Sequence, residues 1–401
     1  MARSIVILAT LDTKSEEAEY LKDFIERKGH KAVVIDAGVL GKPQFQPDFS
    51  NEAVAEAGGK SLQDIIKQGD EAKGIDIMSK GALKICLDLH SLGRLDGMIG
   101  IGGSMGTGLC LPVMKGLPLG IPKFMVSTMA FTPFINMDLV SLDQIMLQPV
   151  VDLWGLNVIT RHYLEMAAAA IVGMAEVYKK IVYEKFMIGV TTRGVCKYST
   201  WIKPKLEERG YEVAVFHSQG MGGRTYEYFV RHGIVNAALD LSPCEIMDEL
   251  CGGTGSAGPD RLEAASAMGI PQVVSCGCMD FWVWNGSKET LPQKYQDRTT
   301  HTHNPLLITV KTSPDEMVAV GKEMARKLNV AEGPVSVLIP SQGFSVFDKP
   351  GGIFYDPESR VAFTEALKEA IDPKIEVVEL DLHINDMAFA REAVYALKDL
   401  M

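Results

Sequence analysis

The chain has 401 residues, 47% of them apolar, and a formal charge of −11 from 40 Lys and Arg against 51 Asp and Glu. That composition supports a large core and excludes a disordered chain. Without a Lys/Arg block it also excludes a nucleic-acid surface, which needs clustered cations.

No stretch reads as an export signal or a membrane span: the least charged run, 98–114, is too rich in Gly and Pro. The seven cysteines then read as reduced thiols of a cytoplasmic protein. In chain order, residues 5–9 are a short apolar run that reads as a strand. A helical pattern follows from Ser15, a plausible N-cap, and Gly29 stops it. Residues 31–35 form a second strand ending at Asp36, so the chain opens with a βαβ unit and parallel strands. Helices are predicted over 61–68 and 74–92. A strand over 96–101 then runs into Gly102-Gly103-Ser104-Met105-Gly106-Thr107-Gly108. Gly120-Ile121-Pro122 introduces a strand over 123–127 that ends at Ser127 and Thr128, and 163–183 reads as a long connecting helix.

The plan then repeats. A strand over 186–191, a helix over 200–209 stopped by Gly210, and a strand over 212–216 superpose on the opening with one offset: Gly210 on Gly29, Glu207 on Glu26, Thr191 on Thr10. Residues 236–241 resemble 96–101, and Gly269-Ile270-Pro271 echoes Gly120-Ile121-Pro122. Further strands are predicted at 306–311, 335–339 and 375–380, with helices ending at 328, 371 and 400. The expectation is an α/β protein of two doubly wound, parallel-sheet, Rossmann-like domains in tandem, residues 1–184 and 185–401.

In such sheets ligands collect beyond the carboxyl ends of the strands. In the first domain those ends supply Thr10, Asp12, Lys14, Asp36, Gly102, Gly103, Ser104, Gly106, Thr107, Ser127 and Thr128. Glycine lets amides turn toward an anion with no Cβ in the way, and a helix starting near Thr107 would add its positive end. The loop lacks the Lys of a Walker A motif, and a tight packing turn would use the same glycines. Asp12 or Asp36 could reach a ribose hydroxyl or a magnesium-bound water, and Lys14 a phosphate. The blander roles are a helix cap for Asp12 and a solvated first-turn side chain for Lys14.

In the second domain Arg193, Gly220, Gly222, Gly223 and Arg224 form a second candidate anion site, since an Arg beside exposed amides suits phosphate or carboxylate. The same glycines would also serve a mobile loop between domains. Glu245 and Asp248, one turn apart, would share a helix face, either for acid-base work or as a solvated helix start. His301 and His303, two apart in a polar loop, are weak metal candidates with His383 as a third ligand; hydrogen-bonded loop histidines are the alternative. No G-x-S-x-G elbow occurs.

Four motifs recur in one order: Ala9-Thr10-Leu11-Asp12-Thr13-Lys14, Gly102 to Thr107, Pro340-Ser341-Gln342-Gly343-Phe344-Ser345, and Asp381-Leu382-His383-Ile384-Asn385-Asp386. Together they resemble a widespread, biochemically uncharacterised family similar to the ATP-binding amino-terminal domain of the tomato mosaic virus resistance protein. The resemblance spans essentially the whole chain. It implies a two-domain α/β protein that binds ATP, with magnesium, and forms a homodimer. It implies no reaction, and it does not carry over viral inhibition, because the plant protein has a further carboxy-terminal barrel. The residues leave two other expectations open: a metabolic enzyme acting on a small anionic substrate in an interdomain cleft, and a regulatory module whose ATP is structural.

Overall fold

The computed structural model describes residues 2–401. The chain divides into two compact units, the first ending at Val182 and the second spanning Tyr183–Met401.

The first unit alternates strands β1 (Ser4–Ala9), β2 (Lys31–Asp36), β3 (Gly97–Gly102), β4 (Lys123–Ser127) and β5 (Gln144–Leu147) with helices. These are α1 (Leu11–Arg27), α2 (Asn51–Ala57), α3 (Leu62–Gln68), α4 (Glu71–Ser91), α5 (Ser104–Gly116) and α6 (Val158–Val177). The strands form one parallel sheet in the order β2-β1-β3-β4-β5. Alternation in the strands decides which helices cover which face. Val6, Leu8, Val33 and Ile35 pack with α4 and α5, while Ile5, Ile7, Ala32 and Val34 pack with α1 and α6. Glycines in β3 let α5 lie close: a Cβ on Gly100 would stand 2.9 Å from Cys110 Sγ, and one on Gly102 would stand 2.6 Å from Gly106 Cα.

The second unit repeats the plan with β6 (Met187–Thr192), α7 (Ser199–Glu207), β7 (Glu212–His217), α8 (Met221–Arg231), β8 (Ala237–Asp240), α9 (Glu245–Cys251), α10 (Ala264–Ala267) and β9 (Gln272–Ser275). A three-stranded antiparallel insert follows, β10 (Phe281–Asn285), β11 (Thr300–Asn304) and β12 (Leu307–Lys311), ordered β10-β12-β11. The chain closes with α11 (Pro314–Leu328), β13 (Val335–Pro340), α12 (Pro357–Ala370), β14 (Glu376–Leu380) and α13 (Met387–Leu400). The main sheet is parallel, in the order β14-β13-β9-β8-β6-β7. Both sheets therefore start by winding outward from β1 or β6 and then reverse past it, the doubly wound arrangement. The paired helix stops also share a conformation, with φ +83° at Gly29 and +90° at Gly210.

Three local expectations change. The first helix begins at Leu11 rather than Ser15, because the Asp36 carboxylate accepts the Leu11 amide (3.0 Å) and supplies a cap from the neighbouring strand. The helix then kinks at Lys14 (φ −127°, ψ 25°), just before the Ser15 expected to start it. The connecting helix begins earlier, at Val158, because Asn157 and Thr160 form a capping box. Residues 300–304 are a strand rather than a polar loop, since β12 offers them a pairing edge. Among the described residues no helix is long and apolar enough to cross a membrane.

Candidate nucleotide and anion sites

The first sheet reverses its order between β1 and β3, and the segments leaving those two strands are residues 10–14 and 103–107. Gly103 (φ −79°, ψ −151°) caps α5 without a side chain, and Thr107 is the first residue whose amide bonds back, to the Gly103 carbonyl at 2.8 Å. Among the described residues no acceptor meets the amides of Ser104, Met105 and Gly106. Gly103 is half-buried and Ser104 and Met105 are exposed, so this positive helix end is open. Beside it lies a cavity of about 350 Å³. Thr10, Asp12, Leu40, Ile65, Met78, Met105 and Leu109 are among its lining residues, and its wall is mostly apolar. That is the size of a small-ligand pocket.

The other residues expected here divide by what they touch. Thr107 is buried and its hydroxyl bonds Ser127 Oγ at 2.6 Å, while Ser127 Oγ also accepts the Met129 amide. These two hydroxyls tie α5 to the end of β4 and are not presented outward. Thr128 is half-buried; a Cβ built on Gly103 would stand 3.7 Å from its hydroxyl, so it borders the open turn. Asp36 does not offer a carboxylate to a ribose. It is buried, and its Oδ1 accepts the amides of Leu11 and Gly38. Burial pushes its pKa up, and its Oδ2 has no partner. Asp12 lines the cavity and fixes the loop after β2 by accepting the Leu40 amide at 2.7 Å. Thr10 bonds the Thr13 hydroxyl. Lys14 is buried at the kink, its Nζ donating to the Thr13 carbonyl and lying 5.9 Å from the exposed Trp154 ring.

In the second unit the corresponding turn, after β8, is closed: residues 241–248 are all buried. Arg261, fully buried, bonds both oxygens of Asp240 (2.5 and 2.7 Å), Glu245 (2.7 Å) and Glu227 (3.2 Å). Glu245 also accepts the Gly223 amide at 3.1 Å, so an internal carboxylate already meets the α8 turn expected to bind an anion. Burial raises the Glu245 pKa to about 7. Gly220 (φ +65°) donates its amide to the Gly255 carbonyl, and Gly222 packs directly on the His217 carbonyl, which a Cβ would strike at 1.8 Å. Arg224 lies close to Gly258. Glu245 and Asp248 are not a solvated helix start; Asp248 accepts the Val283 and Gly255 amides and contacts Arg193 at 3.4 Å. His383 donates from Nε2 to the Ser345 carbonyl and accepts the Asn385 amide at Nδ1, so neither ring nitrogen is left to join His301 and His303. Among the described residues no three His, Cys, Asp or Glu gather as a metal site would require.

Models of the N-terminal and C-terminal domains of uncharacterised protein family UPF0261 match residues 3–180 and 185–401. The chain belongs to that family. A UPF0261 protein of Clostridium tetani is 39% identical over the full length of both chains, and one of Brucella suis is 38% identical over 97% of this chain and 94% of its own. The ToMV resistance protein Tm-1(GCR237) of Solanum lycopersicum is 36% identical over 80% of this chain, which spans 43% of the plant protein.

In this UPF0261 chain the residues that sequence reasoning passed over are the cavity walls on α3 and α4 and the bond partners of Arg193. Apolar residues at helical spacing in 61–78 signal a helix, but nothing in that spacing says that a cavity lies beneath it. The sequence pattern groups Arg193 with residues 220–224. The structure instead puts its side chain against Phe281, 5.4 Å from the ring, and into a small cavity with His217 and His303.

Proposed function

We propose that the first unit of this UPF0261 protein binds ATP with magnesium. The polyphosphate would sit on the amides of Ser104, Met105 and Gly106 and the nucleoside in the adjoining cavity. The observation that carries the reading is that open first turn of α5 at the point where strand order reverses. A phosphate there would meet three donors that have no other partner and the positive end of a 13-residue helix. The residues also suit magnesium, which needs only one or two carboxylates beside phosphate oxygens and water. Asp12 would be the protein's carboxylate, its Oδ2 held by the Leu40 amide. Neutralising and bridging the phosphates is the chemistry the ion supplies. The resemblance to the plant protein's ATP-binding domain supports the same reading and extends it to a homodimer, which light scattering of the purified chain tests. The seven buried, unpaired thiols suit a reducing, cytoplasmic setting.

Titration calorimetry of the full chain with Mg-ATP is the test. Saturable heat that Gly103→Val abolishes, with the fold retained, is expected, because the branched side chain would cover the open turn while its Cβ meets only Thr128 Oγ1 at 3.7 Å. No heat and no thermal shift at millimolar nucleotide would overturn the reading.

A further inference from the structure

We propose that the cavity beside Arg193, at the end of β6 within the second unit, binds a small carboxylate of about four to six heavy atoms. Arg193 is 4% exposed, and its Nη1 is buried with no hydrogen-bond partner among the described residues. A guanidinium has five N–H donors, and a buried one left unmet calls for a ligand or water. The protein holds this one in place without satisfying it. Asp248 reaches Nη2 only at 3.4 Å and spends its other oxygen on the Val283 and Gly255 amides, while Phe281 packs on the guanidinium.

The space beside it is about 80 Å³, the volume of two to three waters at roughly 30 Å³ each. That admits the anion of a two- to four-carbon acid and excludes a nucleotide. The walls are Phe281, Val283, Leu307 and Phe347, which would dehydrate the ligand's carbon end and strengthen the charge pair. At the mouth His217 Nε2 donates to Gln219 Oε1 (3.3 Å), which leaves the Gln219 amide nitrogen to donate to a carboxylate oxygen. The guanidinium fork matches carboxylate and phosphate alike; the apolar walls favour an anion with a carbon end over inorganic phosphate. Gly220, Gly222, Gly223 and Arg224 do not line this cavity, so the site is not the glycine turn.

The experiment is thermal shift and calorimetry of the nucleotide-free full chain with sodium acetate, propionate, pyruvate, hexanoate and inorganic phosphate, each against sodium chloride at equal ionic strength. The proposal expects saturable stabilisation by the two- and three-carbon acids and binding weakened about tenfold or more in Arg193→Lys, which loses the fork. Leu307→Phe, which fills the slot from its half-buried rim, should abolish the response even if Arg193→Lys misfolds. Gly103→Val should leave it intact, which separates this site from the nucleotide reading. Equal shifts with chloride, tighter binding of hexanoate or phosphate than acetate, or an undiminished response in Leu307→Phe would each overturn it.

Discussion

At the turn after β3 the first unit leaves residues 103–105 accessible and three amides without acceptors. At the turn after β8, in the same place in the second sheet, residues 241–248 are buried and carry an internal ionic cluster. The strand order around the two turns is the same, so topology alone does not make a ligand site. What differs is who supplies the negative charge. The second unit brings its own carboxylates, Asp240, Glu245 and Glu227, and neutralises them with Arg261. The first unit brings none to α5, whose first turn has no acidic residue. A helix end that finds no internal anion is available to an external one. The cavity at Arg193 in the second unit is smaller than the one beside α5, about 80 Å³ against about 350 Å³, and it offers a cation rather than bare amides.

The comparison can be broken most severely at Arg261. Arg261→Met strands three buried carboxylates and should cost about 3–5 kcal/mol. Calorimetry and limited proteolysis should show the loss in the second unit, with Mg-ATP binding in the first retained. Next in size is Gly102→Ala. Its Cβ would fall 2.6 Å from Gly106 Cα, where backbone must move, at a cost of about 1–3 kcal/mol with loss of nucleotide binding. Gly222→Ala makes a tighter backbone clash in the second unit, 1.8 Å from the His217 carbonyl oxygen, and should destabilise at least as much without touching nucleotide affinity in the surviving folded fraction.

A smaller effect is expected from Asp280→Asn. Burial and the neighbouring Asp348 push the Asp280 pKa from 3.8 to about 8, and its Oδ2 accepts the Ser345 hydroxyl at 2.6 Å. The folded state therefore binds this proton more tightly than the unfolded chain, and the wild type loses stability as pH rises between about 4 and 8. The variant's melting temperature should match the wild type near pH 4 and exceed it by a few degrees, roughly, at pH 8 and above. A constant difference across that window would refute the assignment. The smallest effect belongs to Thr107→Val, which removes the buried Thr107–Ser127 bond. It should cost about 1 kcal/mol by chemical denaturation and leave Mg-ATP affinity within about twofold, because that hydroxyl faces inward.

Much of the architecture is legible before folding. The apolar runs at 5–9, 31–35 and 96–101 become β1, β2 and β3, Gly29 and Gly210 stop their helices, and the recurrence of 96–101 at 236–241 marks the repeated sheet. The glycine turn at 102–108 is likewise visible as a place where a backbone can face an anion. The antiparallel insert is less so: β10 and β11 are defined by pairing with β12, and the polar Thr300–Asn304 has no pattern that announces a strand.

What the sequence determined by itself is periodicity and local stops, which depend on neighbours a few residues apart: strands, helices, their order, and the doubling of the chain. The tertiary structure decided the fate of each charge. Asp12 and Asp36 are the same residue type, yet one lines a cavity and the other is sealed under two amides; Arg193 and Arg224 are read as one site in the sequence, yet Arg193 lines a cavity that Arg224 does not. A polar group's role depends on which donors and acceptors reach it across the sheet, and those partners lie tens of residues away, as Asp36 does from Leu11 and Asp248 from Arg193.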